Sequence, residues 1–264
     1  MDLQLEGKKV LVTGSTAGIG FATARALAAE AASVIVNGRG QQRVNAAISE
    51  IRKLHPQAHV SGVASDVSSA AGCANLIQEV AEIDILVNNM GIFEPKPFEQ
   101  IPDGDWLRLF EANVMSGVRL SRHYLSAMRK KNWGRILFVS SESAVQIPAE
   151  MIHYGMTKTA QVAVARGIAE TVAGTGVTVN SVLAGPTRSE GVETFIAQMG
   201  AQAGITAEQI ETEFFKNVRP TSLLKRFATI DEVASMIAFL CSPLASATTG
   251  AAIRVDGGVV RAIL

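Results

Sequence analysis

The chain has 264 residues, with 24 basic and 24 acidic side chains. That balance excludes a strong field for steering nucleic acid or an anionic membrane surface. Hydrophobic residues make up 48% and charged residues 18%, which excludes a disordered chain and fits a packed one.

Cys73 and Cys241 are far apart, no CxxC occurs, and the four histidines do not cluster with them. A disulfide framework or a metal site is not expected, and the thiols read as buried apolar groups in a reducing compartment. The segment Met1–Lys9 begins acidic and lacks the apolar core of a signal peptide. No run reaches the roughly 18–20 apolar residues of a membrane span. The expectation is a cytoplasmic protein with neither a membrane nor a nucleic-acid partner.

Val10–Val12 reads as a buried strand, Phe21–Glu30 as a helix, Ser33–Asn37 as a strand and Gln41–Leu54 as a helix. His59–Ala64 is a third strand, Ala70–Val80 a helix and Ile83–Asn88 a fourth strand. Asp105–Lys131 is long enough for two helices. Then come strand Arg135–Ser140, helix Tyr154–Ala173, strand Val177–Leu183, helix Ile230–Leu240 and strand Ala252–Val255. Apolar strands without polar alternation, each followed by a helix, predict a parallel sheet covered on both faces. No linker, low-complexity tract or repeat divides the chain, so residues 1–264 read as one domain. One segment breaks the rhythm. Thr187–Leu224 carries helical patterns at Val192–Met199 and Ala207–Val218 and reads as an inserted substrate lid.

After the first strand stands Thr13-Gly14-Ser15-Thr16-Ala17-Gly18-Ile19-Gly20. Glycines allow a tight turn there, and the next helix offers free N–H groups to a pyrophosphate. The second strand ends in Asn37-Gly38-Arg39-Gly40. An acidic side chain for the ribose 2′-hydroxyl is missing, and Arg39 is placed to meet a 2′-phosphate. This favours NADP(H) over NAD(H); the alternative is a solvated surface arginine.

Tyr154 and Lys158 are four apart on a helix and share a face. Alone, the pair is an ordinary helix surface. Ser141 adds weight, because it follows the fifth strand at the sheet edge where ligands sit in doubly wound folds. A phenol beside an ammonium and a hydroxyl fits a carbonyl/alcohol redox step, with Tyr154 as acid or base, Ser141 holding the substrate oxygen and a nicotinamide carrying hydride.

These residues resemble the short-chain dehydrogenase/reductase family of the single-domain kind, over essentially the whole chain. The motifs appear in order: Thr13-Gly14…Gly18-Ile19-Gly20, Asp66-Val67, Asn88-Asn89-Met90-Gly91, Asn113, Ser140-Ser141, Tyr154-x-x-x-Lys158 and Asp256-Gly257-Gly258. The resemblance implies an α/β doubly wound Rossmann fold with a seven-stranded parallel sheet. It also implies a tetrad of Asn113, Ser141, Tyr154 and Lys158, with Lys158 also on the nicotinamide ribose and Asn113 holding a relay water. By the same resemblance Gly14, Thr16, Gly18, Ile19 and Gly20 cradle the dinucleotide. Asp66 and Val67 flank the adenine, Asn89 and Gly91 the adenosine ribose, and Thr187 and Ser189 reach the carboxamide or pyrophosphate. The chain departs from the family in three places. Met90 stands where alanine is usual, Ala184 precedes Gly185-Pro186 where a Pro-Gly pair is usual, and Ser189 replaces threonine.

Candidates for the substrate pocket are Ser143, Ile147 and Met151 beside the tetrad, with Phe195, Met199, Phe214 and Phe215 in the insertion. The mix points to a mostly apolar ketone or secondary alcohol. Glu142 would disfavour an anionic substrate if it faces the pocket, and His153 reads as a neighbour on another helix face. Two alternatives are a 3-oxoacyl-thioester reductase of fatty-acid synthesis, with Arg129-Lys130-Lys131 as its one basic run, and a non-enzymatic dinucleotide-binding regulator. Family members form homo-oligomers, and the resemblance implies a homotetramer or homodimer built on Asp105–Lys131 and Tyr154–Ala173.

Overall fold

The computed structural model describes residues 1–193, 196 and 206–263. Seven parallel strands form one sheet: β1 (Lys9–Val12), β2 (Ser33–Gly38), β3 (Val60–Ala64), β4 (Ile85–Asn88), β5 (Gly134–Ser141), β6 (Val177–Ala184) and β9 (Ala252–Val255). Their order is β3-β2-β1-β4-β5-β6-β9. Every pairing in it is parallel, as in β1 against β4, where Val10, Leu11 and Val12 face Ile85, Leu86 and Val87. This is the expected doubly wound α/β Rossmann fold.

Successive strand residues point to opposite faces, so one apolar strand feeds two cores. Val10, Val12, Ile85, Val87, Leu137 and Val139 join one core, packed by α1 (Gly18–Ala29), α2 (Gln41–Leu54) and a helix near the C-terminus. Leu11, Leu86, Ile136 and Phe138 join the other, packed by α3 (Ala70–Glu79), α5 (Ser116–Lys131) and α6 (Ile152–Thr171). Each fully buried Val, Leu or Ile contributes roughly 1.5–3 kcal/mol, so the apolar strand residues stabilise both faces of the sheet. Both cysteines are free and buried in these cores, as expected.

The long helical stretch is two helices, as expected, and they are continuous. Helix α4 (Asp103–Phe110) runs into α5 through one π-helical turn, Glu111–Met115. The apolar pattern is nearly unbroken across this turn, so periodicity does not mark it. Asn113 sits in its middle.

The chain leaves the sheet edge at β7 (Thr187–Arg188) and returns at β8 (Ala228–Thr229), a two-residue parallel pair. Between them α7 (Ala207–Glu213) starts on a Thr206/Gln209 capping box and passes into a second π turn, Phe214–Val218. Helix α8 (Ile230–Cys241) follows, its start fixed by the box of Thr229 and Glu232. The inserted segment has its own small core of Ile196, Ile210, Phe215 and Phe227. Phe215 therefore serves that core rather than the substrate pocket. Phe195 and Met199, and most of the Val192–Met199 helical pattern, lie outside the described residues. Among the described residues, no helix is long and apolar enough to cross a membrane.

Candidate active site

The strand order reverses between β1 and β4, and the crevice beyond their C-terminal ends is where ligands bind in such sheets. The glycine-rich loop forms one wall. Gly14 and Gly18 have φ of 61° and 59°, a conformation that glycine adopts freely. A side chain at Gly20 would begin 2.4 Å from Asn89 Nδ2, so only glycine lets α1 lie this close to the β4 loop. Asn89 Nδ2 donates to the carbonyls of Thr13 and Gly14, both at 3.0 Å, and so ties the two loops together. Helix α1 opens without a side-chain cap and with no acid in its first turn. Its N–H groups and dipole are therefore available to an anion.

A cavity of about 480 Å³ runs along this wall, and Gly14, Thr16, Arg39, Asp66, Val67, Asn89 and Gly91 line it. Arg39 is exposed at the end of β2. Asn37, at the place of the missing acid, is used structurally: its amide donates to the carbonyls of Val63 and Ser65. Met90 lines the same cavity while packing against the core beneath it.

A second cavity of about 600 Å³ opens over the ends of β5 and β6 and under the insertion. Ser141, Tyr154 and Lys158 line it, together with Ile19, Thr187, Ser189, Ser143, Met151 and Phe214. Ile147 stands apart from this wall: it is 45% exposed and lies over Gly155. Phe93 and Phe227, absent from the sequence-based candidates, do line it. The Phe93 ring meets Tyr154 edge-on, with centroids 6.1 Å apart.

Strand β5 delivers Ser141, and α6 delivers Tyr154 and Lys158 one turn apart. Lys158 Nζ donates to the carbonyl of Val139 at 3.0 Å and to Gln161 Oε1 at 3.1 Å. Burial pushes its proton affinity down to about 8. Asn113 is buried, with its side chain bonded both ways to the Ile92 backbone and donating to Thr157 Oγ1 at 3.0 Å. Its main-chain carbonyl accepts Gln161 Nε2 at 2.6 Å. Asn113 and Lys158 are thus joined through the side-chain amide of Gln161.

The phenol of Tyr154 is held well above its ordinary range, first by burial and then by the charge of Glu142. A hydrogen bond with Ser141 and the charge of Arg219 pull the other way. The sequence-based expectation, that the Lys158 ammonium and an oxidised nicotinamide together favour phenolate, concerns the cofactor-bound site. The ammonium lies 5.5 Å from the tyrosine ring centroid and is directed to Val139 and Gln161.

Glu142 is buried and lines the cavity. Its Oε1 accepts Arg219 Nε at 2.8 Å, and Arg219 Nη1 reaches Glu150 Oε1 at 3.1 Å. His153 is buried with neither ring nitrogen bonded, its ring edge-on to Trp106. It packs against α4, on a face away from the cavity, as the sequence reading expected.

A family model described as enoyl-(acyl carrier protein) reductase matches residues 14–260. An uncharacterised oxidoreductase of Bacillus subtilis, YvaG, is 48% identical over 263 residues, covering all of both chains. The chain belongs to the short-chain dehydrogenase/reductase family. A D-beta-hydroxybutyrate dehydrogenase of Cupriavidus necator is 34% identical across 97% of this chain and 99% of that one. Among solved structures, the L-sorbose reductase of Gluconobacter frateurii, complexed with NADPH and L-sorbose, superposes with a TM-score of 0.93 at 28% identity, with full coverage of both chains. This short-chain dehydrogenase/reductase is an NAD(P)-dependent oxidoreductase, and the two cavities lie where such a fold presents its ligands.

Proposed function

We propose that this enzyme interconverts a neutral ketone and a secondary alcohol with NADP(H), with Tyr154 as the general acid and base. The convergence of Ser141, Tyr154 and Lys158 on one cavity, beside the uncapped start of α1, carries the reading.

The residues present fit a dinucleotide. Thr16, Arg39, Asp66, Val67 and Asn89 would hold its adenosine end, and Ile19, Lys158, Thr187 and Ser189 its nicotinamide half. A Cβ at Gly91 would stand 3.4 Å from Lys158 Nζ, so glycine there keeps the ammonium open to a ribose. When bound, the nicotinamide supplies or accepts the hydride. Tyr154 is a phenol in the unliganded site at neutral pH, and it donates its proton to the substrate oxygen during reduction. In oxidation the same oxygen takes the alcohol proton. Ser141 holds the substrate oxygen beside the phenol. Lys158, buried against Val139 and Gln161, orients the ribose.

The substrate side is mostly apolar, with Met151, Val192, Ile210 and Phe214 in its wall. Its charged groups are Glu142, Glu150, Glu213 and Arg219, and Arg219 is engaged by two of the carboxylates. An anionic substrate meets a net negative wall, so we favour an uncharged one. Val192, Ile210, Phe214 and Arg219 of the 187–224 insertion line the cavity, and we assign that segment the role of a lid. The carrier-protein reading lacks a docking patch. Arg129-Lys130-Lys131 ends α5 at the N-terminal edge of the sheet, where Lys131 pairs with Asp84 at 3.4 Å, away from the catalytic edge. The non-enzymatic reading would leave an intact tetrad unused.

Assembly as a homotetramer or homodimer through α4–α5 and α6 is proposed with this reading. Exposed Phe98, Leu107 and Phe110 on and beside α4 support it. The test is turnover of a panel of neutral ketones and secondary alcohols with NADPH, NADP⁺, NADH and NAD⁺. Cofactor-dependent turnover of neutral substrates, lost in Tyr154→Phe, is expected; turnover restricted to acyl thioesters would replace this reading with the carrier-linked one.

A further inference from the structure

A buried carboxylate immediately beside a proton-transferring phenol needs a reason. Burying a charge is costly even when it is paired, and an apolar side chain would fill the space without that cost. Glu142 is 4% exposed and fully engaged. Its Oε2 accepts the hydroxyl of Ser141, the hydroxyl of Ser143 at 2.9 Å and the N–H of Ser143 at 2.7 Å. Its Oε1 accepts Arg219.

Ser141 has a single hydroxyl proton, and that proton lies on Glu142. Ser141 Oγ itself accepts the N–H of Ser143 at 3.1 Å, which leaves one lone pair for the phenol. The hydroxyl is therefore an acceptor toward Tyr154 in the unliganded site. A carbonyl oxygen entering the cavity must compete with Glu142 for the same proton.

We propose that Glu142 is a positioning residue for the reaction: its carboxylate orients the Ser141 hydroxyl and sets a negative charge beside the Tyr154 phenol, with Arg219 of the insertion as the opposing charge. The proposal rests on the reading of Tyr154 as acid and base. The charged groups facing Tyr154 are few. Glu142 comes from the turn after β5, Glu150 from the turn before α6, Lys158 from its own helix, and Arg219 and the half-exposed Glu213 from the insertion. Glu142 opposes ionisation of the phenol and Arg219 favours it. The Glu150 side chain is 44% exposed, so solvent screens its charge. Glu142 is fixed to the sheet and Arg219 to the insertion. The position of the insertion over the cavity thereby bears on how readily Tyr154 gives up its proton.

A pair that only anchors the insertion behaves differently from one that tunes the phenol. Loss of either partner of an anchor harms activity in the same direction and leaves the pH profile in place. Loss of a tuning charge shifts the profile, with opposite sign for the two partners. The experiment is the pH–rate profile of alcohol oxidation for Glu142→Gln and Arg219→Gln. It is paired with ultraviolet phenolate titration in a Tyr124→Phe background; the chain has only two tyrosines, so Tyr154 then reports alone. Glu142→Gln is expected to move both curves to lower pH by on the order of one unit, and Arg219→Gln to higher pH by a similar amount. Curves that do not move, or that move together, overturn the proposal. Should Glu142→Gln not fold, the upward shift in Arg219→Gln still decides it. If Tyr154→Phe keeps full turnover, the acid–base reading itself fails; if Tyr154→Phe is inactive and the two profiles coincide, only the role of Glu142 fails.

Discussion

Lys158 and Asn113 are joined by one side chain: Gln161 accepts the Lys158 ammonium at 3.1 Å and donates to the Asn113 carbonyl at 2.6 Å. The π turn at Glu111–Met115 places that carbonyl toward α6.

Gln161 should therefore matter for placement of the ammonium. Gln161→Leu leaves the buried Asn113 carbonyl and one Lys158 donor without partners, a loss of roughly 1–3 kcal/mol. A kcat decrease of about tenfold with a raised cofactor KM is expected, since a factor of ten corresponds to about 1.4 kcal/mol. Gln161→Glu can accept from Lys158 but cannot donate to Asn113, so it separates the two contacts. Steady-state kinetics of both variants check this, and unchanged constants in Gln161→Leu would remove the role.

Burial lowers Lys158 from an ordinary 10.5 to about 8. Between those values the folded state binds fewer protons than the unfolded one, so stability rises with pH there. The penalty is fully present below pH 8 and is gone above about pH 10.5. Relative to Lys158→Met, the wild type should gain roughly 3 kcal/mol across this window. Urea unfolding of both proteins at matched pH values measures the difference, and a constant gap would mean the lysine is not desolvated.

Arg39 is the cationic side chain at the adenosine end of the cofactor cavity nearest the end of β2. A charge-assisted bond to a 2′-phosphate is worth about 1.5–3 kcal/mol. Arg39→Ala should raise the KM for NADPH about tenfold or more and leave that for NADH nearly unchanged. Equal effects on both cofactors would show that Arg39 does not read the phosphate.

Phe227 packs against Phe214 and Phe215, with ring centroids 5.0 and 5.1 Å away, and with them forms the core of the insertion. Phe227→Ala should cost about 3–5 kcal/mol locally. Faster proteolysis between 187 and 228, with the sheet still protected, is the expected signature. Loss of protection throughout would show that the insertion and sheet unfold together.

Much of this was legible in the sequence because it rests on local patterns. The continuous apolar run at Val10–Val12, the glycine loop, and the four-residue spacing of Tyr154 and Lys158 are all short-range features. What was illegible depends on contacts between distant residues. Arg219 meets Glu142 across 77 positions, and no local pattern announces that pairing. Gln161 looks like one more polar residue on α6 until the π turn turns a carbonyl toward it. Ile147 and Phe215 have apolar side chains suited to a pocket. The fold sends Ile147 over Gly155 and Phe215 into the core of the insertion.

The central claim is that Tyr154 transfers the proton. The most direct measurement is single-turnover reduction of a neutral ketone by NADPH in wild type and Tyr154→Phe, with cofactor binding followed separately by fluorescence. The account predicts a rate loss of about 10²–10⁴ with NADPH still bound normally. A Tyr154→Phe enzyme that binds NADPH and reduces the ketone at the wild-type rate would contradict it.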